Sequence, residues 1–333
     1  MTRFFSNLRK MAKAIQVSET GDISVLKYTT VPMPTIKPTQ LLVKNHYAGI
    51  NFIDTYHRTG LYKLPLPFIP GREASGVVEQ VGEQVTGFKV GDRVAYTGSG
   101  TYAEYTAAER SNIIKIPDNV SFELGAAVLL QGLTAVALTR MMHPVQPGQT
   151  VLIHAAAGGT GQVLVQLCRL YGATVIGTVS TKAKKELALK AGAHHVIIYK
   201  ETEIAPKVLE LTNGQGVDAV FDGVGKTTFD TSLACLKTLG SLVSFGNASG
   251  KVDPIDIMKL VPKCVRLSRP SLFNLIKTQE DFTKYAAELF DLISKGKLDI
   301  SVSKVYDIEE IGQAHTDLET QKTTGKIVIK CFK

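Results

Sequence analysis

Residues 150–184 constrain this chain more than any other stretch. Apolar Thr150-Val151-Leu152-Ile153-His154 leads into Ala155-Ala156-Ala157-Gly158-Gly159-Thr160-Gly161, and residues 162–170 continue at helical spacing. After Gly172-Ala173 a second apolar run, Thr174–Val179, ends in Ser180-Thr181-Lys182-Ala183-Lys184. Strand, glycine turn, helix and strand in that order spell one βαβ unit. A turn of this kind presents backbone N–H groups and the positive end of a helix dipole to a pyrophosphate. The stretch therefore predicts a dinucleotide site. The turn itself reads A-x-x-G-x-x-G rather than G-x-G-x-x-G, so its weight comes from the strand and helix on either side.

The end of the second strand discriminates between dinucleotides. An NAD site usually carries Asp or Glu about 20 residues past the turn, to bind the ribose 2′-OH. This chain has Ser180, Thr181, Lys182 and Lys184 there. A carboxylate would repel a 2′-phosphate, whereas hydroxyls and an ammonium bind it. The pattern favours NADPH.

The same alternation continues beyond this unit. Strands are expected near Thr150, Thr174, Val196, Val217 and Ser241, with helices near Gly161, Ala183, Ala205 and Thr227 between them. Five strands with helical crossovers predict a parallel doubly wound sheet, an α/β fold. Before it, from Ala12 to about Val94, short strands and turns predominate, with one brief helix near Asp54 and three prolines, Pro65, Pro67 and Pro70, in a single loop. A helix starts at Ser121-Phe122-Glu123-Leu124, and its apolar spacing runs to Ala137 with an interruption at Gln131-Gly132-Leu133-Thr134. A further helix is expected over 280–295 and a last strand over 325–329. The expected boundaries are an N-terminal extension over 1–10, a β-rich domain over 11–130, the nucleotide domain over 131–272, and a return to the first domain over 273–333.

Composition narrows the class. The 333 residues are 44% hydrophobic and 20% charged, and the formal net charge is +8. Such an excess suits an anionic cofactor and is also compatible with nucleic acid. The four cysteines, Cys168, Cys235, Cys264 and Cys331, are widely spaced and form no C-x-x-C pair, which points to a reducing compartment, the cytoplasm. No apolar run is expected to reach the roughly 20 residues of a membrane span. Residues 1–10 contain no acidic residue. They read either as a short mitochondrial presequence or as an extension ahead of a functional start at Met11.

From about Met11 onward the chain resembles the quinone oxidoreductase (zeta-crystallin-like) branch of the medium-chain dehydrogenase/reductase superfamily. The matching motifs are Gly49-Ile50-Asn51-Phe52-Ile53-Asp54-Thr55-Tyr56, Pro70-Gly71-Arg72-Glu73-Ala74-Ser75-Gly76 and Val90-Gly91-Asp92-Arg93-Val94. They continue with Leu130-Gln131-Gly132-Leu133-Thr134-Ala135, His154 to Gly161, Phe245-Gly246-Asn247-Ala248-Ser249-Gly250 and Arg269-Pro270-Ser271-Leu272. The resemblance implies a GroES-like catalytic domain built from both chain ends, a Rossmann domain inserted between them, and a homodimer. It places Asn51 and Tyr56 beside the nicotinamide and substrate, as catalytic and cofactor-binding residues. Gln131 and Thr134 would lie in the interdomain cleft, and Ala157, Gly158, Gly159, Thr160 and Gly161 on the pyrophosphate. Ser180, Thr181, Lys184 and Tyr199 would surround the 2′-phosphate. Phe245, Gly246, Asn247, Ser271 and Leu272 would line the nicotinamide half. Two positions depart from the family pattern. Gln321 stands where Arg is frequent, leaving Lys322 as the nearby cation, and Thr160 replaces a common Val.

Zinc-dependent relatives carry a catalytic Cys near Gly49 to Asn51, a His at Arg72 and four structural cysteines. None is present here, and zinc requires three or four such ligands. His194-His195 point apart as adjacent residues and form no ligand set. Without a Lewis acid, alkoxide chemistry lacks a stabiliser. An electron-poor acceptor needs less help, provided the protein positions it and excludes water. A hydrogen bond from Asn51 or Tyr56 would stabilise negative charge on its carbonyl oxygen. The expected activity is NADPH-dependent quinone reduction. The alternative within the same chemistry is reduction of alkenal or enone double bonds. The alternative from another class is RNA binding, as in some zeta-crystallin relatives, although no aromatic-interleaved basic tract is present.

Overall fold

The structure is a computed structural model that describes residues 10–332. All but Lys10 of the segment weighed as a presequence therefore lies outside the described residues. Two compact units are present. One comprises the described chain up to Leu129, Val302–Lys322 and the residues from Ile327 onward; the other comprises Leu130–Ser301 with Thr323–Lys326.

The first unit is β-rich. Strand Gln40–Gly49 is its centre, because it pairs antiparallel with Glu73–Val81 on one side and with both Tyr105–Glu109 and Lys326–Lys330 on the other. Leu41, Leu42 and Val43 are all buried, so both faces of this stretch are covered, which is why it reads Leu-Leu-Val rather than alternating strictly. Its apolar faces close over Ile15, Leu41, Val43, Tyr96 and Tyr102, together with Tyr306 and Ile311 from the returning segment. The expected brief helix is Phe52–Thr59. It starts at Asn51 and stops at Gly60, whose φ of 80° ends the turn in the left-handed region.

The second unit is a six-stranded parallel sheet. Its order along the sheet is His195–Ile198, Thr174–Val179, Thr150–Ile153, Val217–Asp222, Leu236–Ser244 and Arg266–Ser268. In chain order this is 3-2-1-4-5-6, the doubly wound arrangement, with its switch point between the first and fourth strands. The five expected strands are all present. The sixth, Arg266–Ser268, pairs with Ser241–Val243 at the sheet edge. Three residues are too few for a periodicity to show, so it left no legible signal.

Three expectations are corrected. The segment expected to break at 131–134 runs as one helix, Phe122–Ala137, continued by a π turn, Leu138–Met142. Its polar residues are satisfied locally, since Thr134 Oγ1 donates to the Leu130 carbonyl at 2.6 Å. Gly132 gives room for Leu289, whose Cδ1 would lie 2.9 Å from a Cβ added there. Because the break is absent, Phe122–Met142 is long and apolar enough to match a membrane span by length and composition, contrary to expectation. With 78% of its apolar window buried, it has the pattern of a core helix. In addition, residues 273–301, expected with the returning segment, belong to the parallel-sheet unit. Helix Gln279–Ser294 is held there by Leu289 and by an Arg140–Glu288 ion pair of 2.6 Å.

Candidate functional site

In the parallel-sheet unit the first strand ends at the switch point and passes into the turn. Ala155 adopts φ 52°, and Ala156 N donates to the Thr178 carbonyl at 3.1 Å, which ties the turn to the second strand. Gly161 lies so close to Ala155 that an added Cβ would strike its carbonyl oxygen. Helix Gly159–Leu170 then begins without a side-chain cap, so its first N–H groups are left to a ligand. Gln131 reaches the same place, its Oε1 packed against Gly159. The carbonyl of Ala157 is engaged from behind by Gln162 Nε2 at 2.8 Å and by Gly325 N at 3.1 Å. Thr134 does not present its hydroxyl in this way, because the hydroxyl is turned back onto its own helix.

The second strand leads to buried Ser180 and to Thr181, whose Oγ1 accepts from Lys184 N at 3.3 Å and caps helix Lys182–Lys190. Burial and the neighbouring charge of Lys200 hold the Lys184 ammonium below the ordinary lysine range. Two ammonium groups near one another, on segments that also carry the Ser180 and Thr181 hydroxyls, are chemically matched to a dianion. Tyr199 joins them through its N–H, which donates to the Val179 carbonyl at 3.0 Å. Lys200 had no role in the sequence reading, although its position directly after Tyr199 was a usable signal.

On the opposite side of the switch point, Phe245 N donates to the Asp222 carbonyl at 2.8 Å, and the Phe245 ring covers Gly223. Arg269 steadies this turn: its Nη1 donates to Ser244 Oγ at 3.1 Å and to the Gly246 carbonyl at 2.9 Å. Asn247 is buried beside it, and Ser271 begins the short helix Leu272–Leu275. Arg269 was legible only as part of a motif, with no hint of what it supports.

In the β-rich unit Asn51 caps the helix Phe52–Thr59, which carries Tyr56. Asp54 Oδ2 accepts from Asn51 N at 2.9 Å and from the buried Tyr102 hydroxyl at 2.7 Å. The Asn51 side chain donates through Nδ2 to Glu73 Oε1 at 2.9 Å and to the Gly49 carbonyl at 3.3 Å. A Cβ at position 49 would collide with Glu73 Oε1, so only glycine permits this approach. Tyr56 is 8% exposed, with Tyr62 edge-on at 5.2 Å and Phe52 at 6.4 Å between ring centroids. His57 follows it, and burial with the nearby Arg72 charge lowers its pKa to about 4, so it is neutral at pH 7. Glu73 and Tyr62 were not expected as site residues.

The donor set does not fit zinc. Among the described residues no three His, Cys, Asp or Glu side chains cluster. His194 accepts from Val175 N through Nδ1 at 3.0 Å, with Arg169 at Nε2. Near Gly49 the side chains are the Asn51 amide and the Glu73 carboxyl, with the Asp54 carboxyl engaged by Asn51 N and Tyr102, and two carboxylates without His or Cys are too few for a zinc ion.

Two family models match the chain: an alcohol dehydrogenase GroES-like domain over residues 37–118, and a zinc-binding dehydrogenase domain over residues 159–291. A probable quinone oxidoreductase of Schizosaccharomyces pombe is 44% identical over 95% of this chain and 96% of its own. A 2-haloacrylate reductase of Burkholderia is 38% identical over 96% of this chain and 99% of its own. The Escherichia coli quinone oxidoreductase, solved in complex with NADPH, superposes with a TM-score of 0.94 at 38% identity, covering 96% of this chain and all of that one.

Proposed function

The chain belongs to the quinone oxidoreductases of the medium-chain dehydrogenase/reductase superfamily, and we propose that it is an NADPH-dependent, zinc-independent quinone reductase. The observation that carries the cofactor choice is the set formed by Ser180, Thr181 and Lys184 after the second strand and Tyr199 after the third, with Lys200 beside it and no carboxylate in the set. We assign Ala157 to Gly161 to the pyrophosphate, these residues to the 2′-phosphate, and Phe245, Gly246, Asn247, Ser271 and Leu272 to the nicotinamide half. Bound NADPH supplies hydride.

The chain's own residues bind, orient and exclude water. Asn51 has committed its two amide hydrogens to Glu73 and Gly49, so we assign the donor for negative charge on a quinone oxygen to the Tyr56 phenol. The apolar wall of Phe52, Tyr56 and Tyr62 suits a flat, electron-poor ring. Solvent protonates the resulting hydroquinone anion. A second reading, reduction of an activated carbon–carbon double bond, is favoured by the likeness to a 2-haloacrylate reductase and uses the same residues.

We also assign a homodimer to the edge of the parallel sheet. Strand Arg266–Ser268 has one sheet neighbour, and Ile257, Met258 and Val261 nearby in sequence are 74%, 62% and 57% exposed. The four cysteines are unpaired and three are buried, which supports a cytoplasmic placement. The deciding experiment follows NADPH and NADH oxidation across a panel of quinones and enones. Quinone-dependent NADPH oxidation is expected, with NADH much poorer; oxidation of neither nucleotide would remove the proposal.

A further inference from the structure

His154 closes the first strand of the parallel sheet and is 2% exposed. Its ring joins two other parts of the unit. Nδ1 lies 3.0 Å from Thr178 Oγ1 in the second strand, and Nε2 lies 3.0 Å from Ser232 Oγ in the helix Phe229–Cys235. Ser232 Oγ gives its single hydrogen to Asp222 Oδ2 at 2.9 Å. It can therefore only accept from the histidine, which fixes the hydrogen on Nε2 and leaves Nδ1 to accept from Thr178. Burial holds the imidazole below its ordinary pKa against the opposing charge of Asp222, in keeping with this neutral form.

What the ring connects gives it a purpose. Thr178 is two residues before Ser180, on the 2′-phosphate side. Asp222 ends the fourth strand and organises the other side: its Oδ1 accepts from Val224 N and Gly225 N at 2.8 and 3.0 Å, and its backbone carbonyl receives Phe245 N. Between them, His154 is followed directly by the pyrophosphate turn. Resting on the cofactor assignment above, we propose that His154 is a positioning residue that sets the spacing between the 2′-phosphate, pyrophosphate and nicotinamide subsites of the nucleotide unit.

A spacing role makes a claim that simple stabilisation does not. A ligand that reaches all three subsites at once must lose affinity when their separation loosens, whereas a fragment that reaches only part of that span loses less. The two hydrogen bonds are also separable, because Asn supplies an acceptor near Nδ1 and Gln supplies a donor near Nε2.

The test is fluorescence and calorimetric titration of wild type, His154→Asn and His154→Gln with NADPH, NADH, 2′,5′-ADP and reduced nicotinamide mononucleotide, alongside the melting temperature. Expected is a loss of about tenfold in NADPH affinity for each variant, with a much smaller loss for each fragment. His154→Gln, which loses the Thr178 bond, should also lose part of the preference for NADPH over NADH. His154→Asn should retain that preference. Unchanged NADPH affinity with only a lowered melting temperature overturns the proposal, as does an equal loss for NADPH and both fragments. If a single variant fails to fold, Ser232→Ala and Thr178→Val remove the same two bonds from the far ends and carry the same expectations. Failure of wild type to bind NADPH counts against the cofactor assignment instead, so the two failures are distinguishable.

Discussion

Asn51 and Glu73 are joined by one amide hydrogen, with Nδ2 of Asn51 2.9 Å from Oε1 of a carboxyl group that is fully buried. The bond orients the residue that begins the Phe52–Thr59 helix, and so fixes where Tyr56 stands one turn later. Replacing Glu73 with Ala removes the acceptor and leaves the Asn51 amide short of one partner. We expect a loss of about 1–3 kcal/mol in stability and a raised quinone KM, measured by urea unfolding and steady-state kinetics.

Tyr56→Phe keeps the ring among Phe52 and Tyr62 and deletes only the hydroxyl. If that hydroxyl stabilises developing charge, kcat falls on the order of 100-fold while NADPH affinity stays as in wild type. An unchanged kcat would return the donor role to another group.

Lys184→Asp replaces half of the Lys184–Lys200 pair with a like charge for a phosphate. The KM for NADPH should rise roughly 10- to 100-fold and that for NADH should change little, with the difference shrinking at high salt. Equal effects on both nucleotides would place the 2′-phosphate elsewhere.

Two of the three glycines of the turn, Gly159 and Gly161, should respond differently to alanine. At Gly161 the obstacle is the Ala155 backbone, which has nowhere to go; at Gly159 it is the end of the flexible Gln131 side chain. Gly161→Ala is therefore expected to abolish measurable NADPH binding, whereas Gly159→Ala weakens it, with both read by fluorescence titration.

Acid should expose buried histidines. His315 is fully buried against Arg58, and both burial and that charge lower its pKa to about 3; His57 titrates at about 4. Free histidine titrates near 6.5, so above that pH both states are neutral and the stability is fully present. As pH falls below 6.5 the unfolded chain takes protons that the folded chain refuses. Stability is lost by roughly 1.4 kcal/mol per pH unit for each histidine until the folded values are reached. His315→Asn keeps an acceptor for Arg58 and should flatten the slope between pH 6 and 4 in urea titrations. An unchanged slope would mean that His315 is not its source.

What the sequence made legible was local. Residues 150–184 announced their strand, turn and helix because periodicity and glycine placement act over a few neighbours, and the absence of a carboxylate near Ser180 was visible in the string itself. The partners that make these residues work were not visible. Glu73 meets Asn51 across 22 positions, Arg269 meets Gly246 across 23, and Ser232 meets His154 across 78. Such pairings are decided by how the sheets stack. The continuous helix Phe122–Ala137 was misread for a related reason: Gly132 looks like a breaker until Leu289 is seen to need its space.

Gly325 donates its N–H to the carbonyl of Ala157, in the turn that opens the nucleotide unit. On a ribosome the chain emerges from its N-terminus, and residue 325 follows the last parallel strand, Arg266–Ser268, by 57 positions. A nascent chain can therefore lay down all six parallel strands and still lack this brace. The pyrophosphate turn gains this hydrogen bond only after the sheet is made, so a folding intermediate that holds the six strands alone would carry the turn unbraced.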